Sequence, residues 1–316
     1  LIFSNIMIYE YNNKYIPKPF GLQNSGSICY FNSLIQSLLS CSSFNEHILK
    51  NIDKYKNNII LQHYIKLLND NSNYIAFKSD HINMINILIQ LQQKSTFRIK
   101  FGSGQQDANE GLTLLLDAIN DKSIMELFQS RYSEHIICKS CNNKHISASH
   151  PYLPIDIAID IFNNKSIEDH PKIIENYICQ HNEYIDDDYQ CRNINCKKKG
   201  NKAKYVILTM VPEIIIILFK KFTNNSISLQ NETKMQTVAV KKCINFPMKL
   251  SFNNGKLNYK IVSQCEHSGG LGGGHYWAIS RRKNDEIYQL NDTNVSLSSF
   301  SPSSHTYMIF YHIIKK

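Results

Sequence analysis

Cys29 stands where a run of turn-forming residues meets an amphipathic stretch, in GLQNSGSICYFNSLIQSL over residues 21–38. Phe31, Leu34, Ile35, Leu38 and Leu39 recur at i, i+3, i+4, i+7 and i+8, the period of a helix packed on a core. A helix therefore begins close to Cys29. The unpaired N–H groups and positive dipole end of its first turn stabilise a thiolate, which is the nucleophilic form. The plainer alternative is a buried structural thiol, the commoner fate of a lone core cysteine. Position alone leaves the two about even.

A thiol nucleophile needs a base that is distant in sequence and adjacent in the fold. Of the 12 histidines, only His275 sits in a segment built for access, GGLGGGHYWAISRR, with Gly269, Gly270, Gly272, Gly273 and Gly274 ahead of it. Glycine lets a backbone crowd a substrate or take positive φ. A flexible loop beside a satisfied core histidine is the alternative. Residues 275–282 and 286–291 read as strands, and Arg282, Lys283, Asn284 and Asp285 as the turn between them. A turn centred on Lys283 sets His275 opposite Asn291, with Cβ atoms ~5 Å apart. The Asn291 carbonyl would then accept from Nδ1–H and hold Nε2 toward the thiol. Asn291 is the expected orienting residue, with Asp292 as neighbour and substitute.

Four of the nine cysteines form two pairs, Cys138 with Cys141 and Cys191 with Cys196. The first has the spacing of a zinc knuckle, and thiolates bind tetrahedral Zn²⁺ well. Four thiolates leave no open position, so the metal would be structural and there would be no catalytic cofactor. Cys179 and His181 are replacement ligands, and four ordinary thiols are the competing explanation.

The segment around Cys29 resembles the cysteine box of the ubiquitin-specific proteases, papain-like deubiquitinating enzymes. Gly21, Leu22, Asn24, Gly26, Cys29, Tyr30, Asn32, Ser33 and Gln36 match it, while Ser27 and Ile28 replace the usual Asn-Thr. Gly274, His275 and Tyr276 resemble the family's histidine box, and Leu290, Asn291, Asp292, Thr293, Asn294 and Val295 its closing pattern. The resemblance implies a Cys29–His275–Asn291 triad and an oxyanion hole made by Asn24 and the Cys29 N–H. The alternative for Asn24 is a turn residue bonding its own backbone.

Gln105, Gln106, Asp107, Ala108 and Glu110 resemble the box whose acids contact the ubiquitin tail, opening a helix with Ala108, Leu112, Leu115, Leu116 and Ile119 on one face. Asp107 and Glu110 would pair with the arginines of that tail. Ordinary acidic charge at a helix start is the alternative. Gly273, Gly274 and Tyr276 would line the approach, where side chains would clash with anything but a Gly-Gly tail. The two cysteine pairs resemble the family's zinc-bearing fingers. Further landmarks, among them Lys204, Pro212, Lys221, Phe246 and Tyr307, extend the likeness over most of the chain.

The implied fold is α+β, a papain-like cysteine peptidase with thumb, palm and fingers around a ubiquitin-binding cleft. Residues 1–20 form a short extension and 21–312 the catalytic domain. The thumb would run over about 21–131, the zinc fingers over about 132–204 and the palm over about 205–312. The implied partners are ubiquitin and ubiquitinated proteins, acted on by a monomer.

Composition agrees with one enzyme domain. The chain has 316 residues, 42% hydrophobic and 19% charged. The longest apolar run, residues 214–219, suits a buried strand and is too short for membrane insertion. Residues 1–9 lack the basic lead and cleavage site of a signal peptide, and the absence of an initial Met reads as a fragment or as an upstream extension of a chain beginning at Met7. Nine cysteines without a secretory signal point to a reducing, intracellular place in cytoplasm or nucleus. The net charge of +9 raises a zinc-scaffold nucleic-acid module as an alternative, but the basic clusters, Lys197–Lys199, Lys220 with Lys221, Lys241 with Lys242 and residues 281–283, are scattered and read as solvated surface, so no nucleic acid is expected. A ubiquitin-binding pseudoprotease is the remaining alternative, raised by Ser27 and Ile28.

Overall fold

The computed structural model describes residues 11–69, 79–93, 106–183, 188–200, 202–229, 232–270 and 273–314. Met7, the rest of residues 1–10, Gln105 and Gly272 lie outside them. The helices are α1 (Cys29–Leu38), α2 (Ser42–Lys50), α3 (Ile59–Asn69), α4 (Asp80–Gln93), α5 (Ala108–Ile119), α6 (Lys122–Glu126) and α7 (His170–Cys179).

The strands are β1 (Ser130–Cys138), β2 (Lys144–Ile146), β3 (His150–Tyr152), β4 (Ile155–Ala158), β5 (Gln180–Glu183), β6 (Lys202–Met210) and β7 (Ile214–Lys220), then β8 (Phe222–Leu229), β9 (Glu232–Ala239), β10 (Lys249–Phe252), β11 (Leu257–Gly270), β12 (Gly273–Arg281), β13 (Ile287–Asn291), β14 (Asn294–Leu297) and β15 (Thr306–Ile314). The fold is α+β, as expected.

An eight-stranded sheet in the order β14-β13-β12-β11-β15-β7-β4, with β10 on β11, is antiparallel except where β4 meets β7. Both faces of β7 are covered, which explains its unbroken apolar run. Ile214, Ile216 and Leu218 pack with the residues of α1 to α5, while Ile215, Ile217 and Phe219 pack with those of β4 and α7. A second sheet of β1, β2, β3, β5 and β6 carries the cysteine pairs at its far end, and β8 with β9 forms a separate hairpin.

Helix α1 sits between the helical layer and the large sheet, and every one of its residues is buried, its polar ones included. Each polar side chain bonds within reach: Ser33 Oγ donates to the Tyr30 carbonyl at 2.8 Å, Ser37 Oγ to that of Ser33 at 2.8 Å, and Gln36 Nε2 to that of Phe20 at 2.8 Å. Such pairing is what allows a polar face to be buried.

Two basic residues expected on the solvated surface are buried. Arg282 is fully enclosed and donates to Ser40 Oγ at 2.6 Å and to the Gln36 carbonyl at 3.1 Å, with Gln36 Oε1 as a third acceptor. Its guanidinium lies on the last carbonyls of α1, where the helix dipole favours a cation. Lys221 donates to the Ser304 carbonyl at 2.6 Å, and burial, partly offset by Glu266, pulls its pKa down to about 8.

Candidate active site

Helix α1 starts at Cys29, as the sequence predicts, with Ile28 as an N-cap that offers no side-chain bond. Cys29 is 4% exposed. Burial pushes its pKa up and the Asp292 charge adds to this, while backbone hydrogen bonds from Tyr276, Tyr30 and Cys29 itself pull it down. The net direction is upward, with burial the largest cause. The bond from the Tyr276 backbone brings the thiol against the residue next to His275.

His275 Nε2 lies 2.6 Å from Asn291 Oδ1. The pairing expected from sequence is present, but two details differ. Nε2 faces Asn291, so Nδ1 is the nitrogen left over, the reverse of the expected arrangement. The register also differs by two residues: Ala278 opposes Leu290 and Arg281 opposes Ile287. The cause is the turn. The Arg282 N–H bonds to the Glu286 carbonyl at 2.8 Å, which closes a three-residue loop with Asp285 at φ 64°. A slip of two residues keeps every side chain on its face, so His275 and Asn291 still meet, diagonally.

Asp292, the expected neighbour and substitute for Asn291, bonds to the cysteine segment. It occupies the tight turn between β13 and β14 at φ 50°, and its carboxylate points to the cysteine segment. Oδ2 accepts from Asn24 Nδ2 at 2.9 Å and Oδ1 from Asn32 Nδ2 at 2.7 Å, while its carbonyl accepts from the Leu22 N–H at 2.8 Å. Gly21 lies so close to the same turn that a Cβ would sit 2.5 Å from the Thr293 carbonyl oxygen.

Asn24 is bonded as a turn residue and also reaches Asp292. Its Oδ1 accepts from the Gly26 N–H at 3.2 Å and the Ile28 N–H at 3.3 Å, the work of a turn residue, while its amide group reaches Asp292. Asp107 is the N-cap of α5: Oδ1 accepts from the Asn109 and Glu110 N–H groups, and Oδ2 faces the Tyr307 and Tyr276 hydroxyls. Both oxygens are thus already used within the chain. Glu110 is half-buried in the first turn of α5, and burial, then the Asp107 charge, pushes its pKa up.

Gly273 and Gly274 are exposed at the start of β12. At Gly274 a Cβ would lie 2.5 Å from His267 Nε2 and from the Ser268 carbonyl oxygen, so the hairpin itself demands glycine there. That clash is within the chain. The Tyr276 ring is buried and stacks on His267 at 4.2 Å, which makes it part of the hairpin's support. Sequence reasoning gave no role to Asn32, His81 or His267, although Asn32 lies inside the cysteine box.

The Sγ atoms of Cys138, Cys141, Cys191 and Cys196 all lie within 4.8 Å of one another. Cys138 to Cys196 is 3.9 Å and Cys141 to Cys191 is 3.7 Å. A tetrahedron with 2.3 Å zinc–sulfur bonds has edges of about 3.8 Å, so four thiolates here fit a structural metal. The longer second pair is accommodated by a turn, in which the Cys196 and Lys197 N–H groups bond to the Asn193 carbonyl and Lys197 takes φ 45°. Asn193 Nδ2 also approaches Cys141 Sγ at 3.8 Å. Backbone hydrogen bonding from Ser140 leads the causes that pull Cys138 down to about 6. Cys179 and His181 are not in the cluster: Cys179 ends α7, and the His181 ring stacks on Tyr177 at 4.2 Å.

The chain is 20% identical to ubiquitin carboxyl-terminal hydrolase 2 of Bos taurus over 349 residues, covering 93% of the chain and 55% of that protein. It is 24% identical to ubiquitin carboxyl-terminal hydrolase 36 of Drosophila simulans over 326 residues, covering 93% of the chain and 31% of that protein. The chain thus spans about half or less of the length of these relatives. Among solved structures, the SAGA DUB module Ubp8/Sgf11/Sus1/Sgf73 bound to monoubiquitin includes a chain that matches with a TM-score of 0.75 at 19% identity, covering 98% of this chain and 72% of that one. At that identity the likeness speaks for the fold. The family described as Ubiquitin carboxyl-terminal hydrolase matches residues 20–311, and the chain belongs to that family.

Proposed function

We propose that the chain is a thiol-dependent deubiquitinase that hydrolyses the isopeptide or peptide bond after the C-terminal glycine of ubiquitin. The observation that carries this is the 2.6 Å bond between His275 Nε2 and Asn291 Oδ1, beside a Cys29 thiol bonded to the Tyr276 backbone. In this reading Asn291 fixes Nε2, and Nδ1 takes the proton of Cys29. The thiolate attacks the glycine carbonyl, and His275 returns the proton to the departing amine. Water, deprotonated by His275, then hydrolyses the thioester and frees Cys29. The oxyanion is met by the Asn24 amide and the Cys29 N–H, where one lost donor costs ~3 kcal/mol of transition-state stabilisation. Asp292 holds Asn24 and Asn32 in place for this.

Ubiquitin and its conjugates are the proposed partners, with Glu110 the freer of the two acids near the start of α5 to meet the ubiquitin tail. The helical part to about residue 131 serves as thumb, the sheet bearing the four cysteines as fingers held by structural zinc, and the large sheet as palm. None of the nine cysteines is in a disulfide, which supports an intracellular place in cytoplasm or nucleus. Among the described residues, no helix is long and apolar enough to cross a membrane.

One observation favours a second reading, a ubiquitin binder that cuts slowly: the upward shift of the Cys29 thiol. Hydrolysis of a ubiquitin C-terminal amide decides between them. The first reading expects turnover that Cys29→Ala abolishes while ubiquitin binding persists. Binding without turnover in the unaltered chain supports the second.

A further inference from the structure

His81 is fully buried in the first turn of α4, and its ring Nε2 lies 2.7 Å from the Gln23 carbonyl oxygen. A carbonyl only accepts, so Nε2 carries the proton and donates. Nδ1 has no hydrogen-bond partner among the described residues. A second proton on this ring would therefore be buried unpaired, at a helix N-terminus that disfavours positive charge. Burial accordingly holds His81 below the ordinary histidine range, and the ring is neutral.

The acceptor matters because Gln23 directly precedes Asn24. Three elements hold residues 22–24. The β13–β14 turn takes the Leu22 N–H and the Asn24 amide through Asp292. Asn32 of α1 donates weakly to the Gln23 carbonyl at 3.4 Å. The third element is α4, and its short bond from His81 is the stronger of the two on that carbonyl. Helix α4 is itself fixed, since Asp80 pairs with His63 of α3 at 2.8 Å and Met84, Ile85 and Leu88 enter the core around α1.

We propose that His81 is a positioning residue for the reaction: its Nε2–H holds the Gln23 carbonyl, and with it the Gln23–Asn24 peptide, so that the Asn24 amide faces the developing oxyanion. The proposal rests on the reading of Asn24 as an oxyanion donor. A donor misplaced by a fraction of an ångström weakens the transition state and leaves ground-state binding alone.

The test compares His81→Met, which keeps volume and removes the donor, with His81→Gln, whose amide reaches the position of Nε2. With a ubiquitin C-terminal amide as substrate, His81→Met should lower kcat about tenfold at little-changed KM, the scale of one buried hydrogen bond. His81→Gln should restore kcat to within about twofold of the unaltered chain. Equal kcat in the two variants overturns the proposal. Asn24→Ala is run beside them: unchanged kcat there defeats the oxyanion reading, whereas an impaired Asn24→Ala beside a fully active His81→Met defeats the His81 proposal alone. Should His81→Met not fold, long-range ¹H–¹⁵N spectra of histidine-labelled chain, with His81→Gln for assignment, give the tautomer directly. A neutral Nε2–H ring agrees with the proposal, and an Nδ1–H ring overturns it.

Discussion

His275 and Asn291 touch through a 2.6 Å bond although neither is the other's cross-strand partner. The ladder runs from Arg281 opposite Ile287 to Ala278 opposite Leu290, a register that leaves His275 three residues and Asn291 one residue beyond its last pair. The pair therefore meets on a diagonal, and its geometry depends on the three-residue loop at residues 283–285 as much as on the two side chains.

Removing the Asn291 acceptor should lower kcat about 10- to 100-fold with KM little changed, because a base that is present but unoriented loses only part of its contribution. Asp292 bonds to Asn24 and Asn32, so it should not rescue the loss. Steady-state kinetics of Asn291→Ala, Asp292→Ala and the double variant check this. The expected outcome is that each single change is costly and that Asn291→Ala remains costly when Asp292 is intact.

The pH profile carries the Asp292 charge. That charge and burial both push the Cys29 thiol up, so activity rises with pH as the thiol deprotonates. Taking the negative charge away stabilises the thiolate. Asp292→Asn should therefore move the ascending limb of kcat/KM to lower pH, even as the lost bonds to Asn24 or Asn32 reduce its plateau. A limb that stays in place or moves to higher pH contradicts the arrangement.

If the four cysteines hold zinc, elemental analysis of the purified chain should find about one zinc per chain, and chelation or Cys141→Ser should lower the melting temperature. Asn193→Ala, which removes the amide near Cys141, should weaken metal retention less than loss of a ligand does. A metal-free chain that melts normally would show the cluster to be four ordinary thiols.

Arg282 ties the β12–β13 turn to the end of α1, and burial lowers its pKa to about 10. Arg282→Ala leaves a cavity and strips partners from Ser40 and Gln36, so denaturant unfolding should show a loss of about 3 kcal/mol. Arg282→Lys should recover little, because a single ammonium cannot reproduce the fork that spans Gln36 and Ser40.

What was legible in the sequence was local. Cys29 at a helix start, His275 beside glycines and two strands flanking a polar turn each leave a signature within about 20 residues. His275 and Asn291 meet despite the different register because the difference is an even number of residues. The contacts of Asp292 are not legible in the sequence because its partners Asn24 and Asn32 lie 268 and 260 residues away, and nothing in the ladder from Ile287 to Asn291 points to them. Arg282 was read as surface because charged side chains are rarely enclosed; only the folded chain brings the carbonyl end of α1 to it. The ring nitrogen facing Asn291 was likewise set by how β12 and β13 cross, which their alternation does not encode.

The most direct measurement is labelling of the intact chain with a ubiquitin probe whose C-terminus bears a thiol-reactive group, followed by mass spectrometry of the adduct. The account predicts one ubiquitin per chain, attached at Cys29 and absent from Cys29→Ala. No adduct, or an adduct on one of the other eight cysteines with Cys29 unmodified, would contradict it.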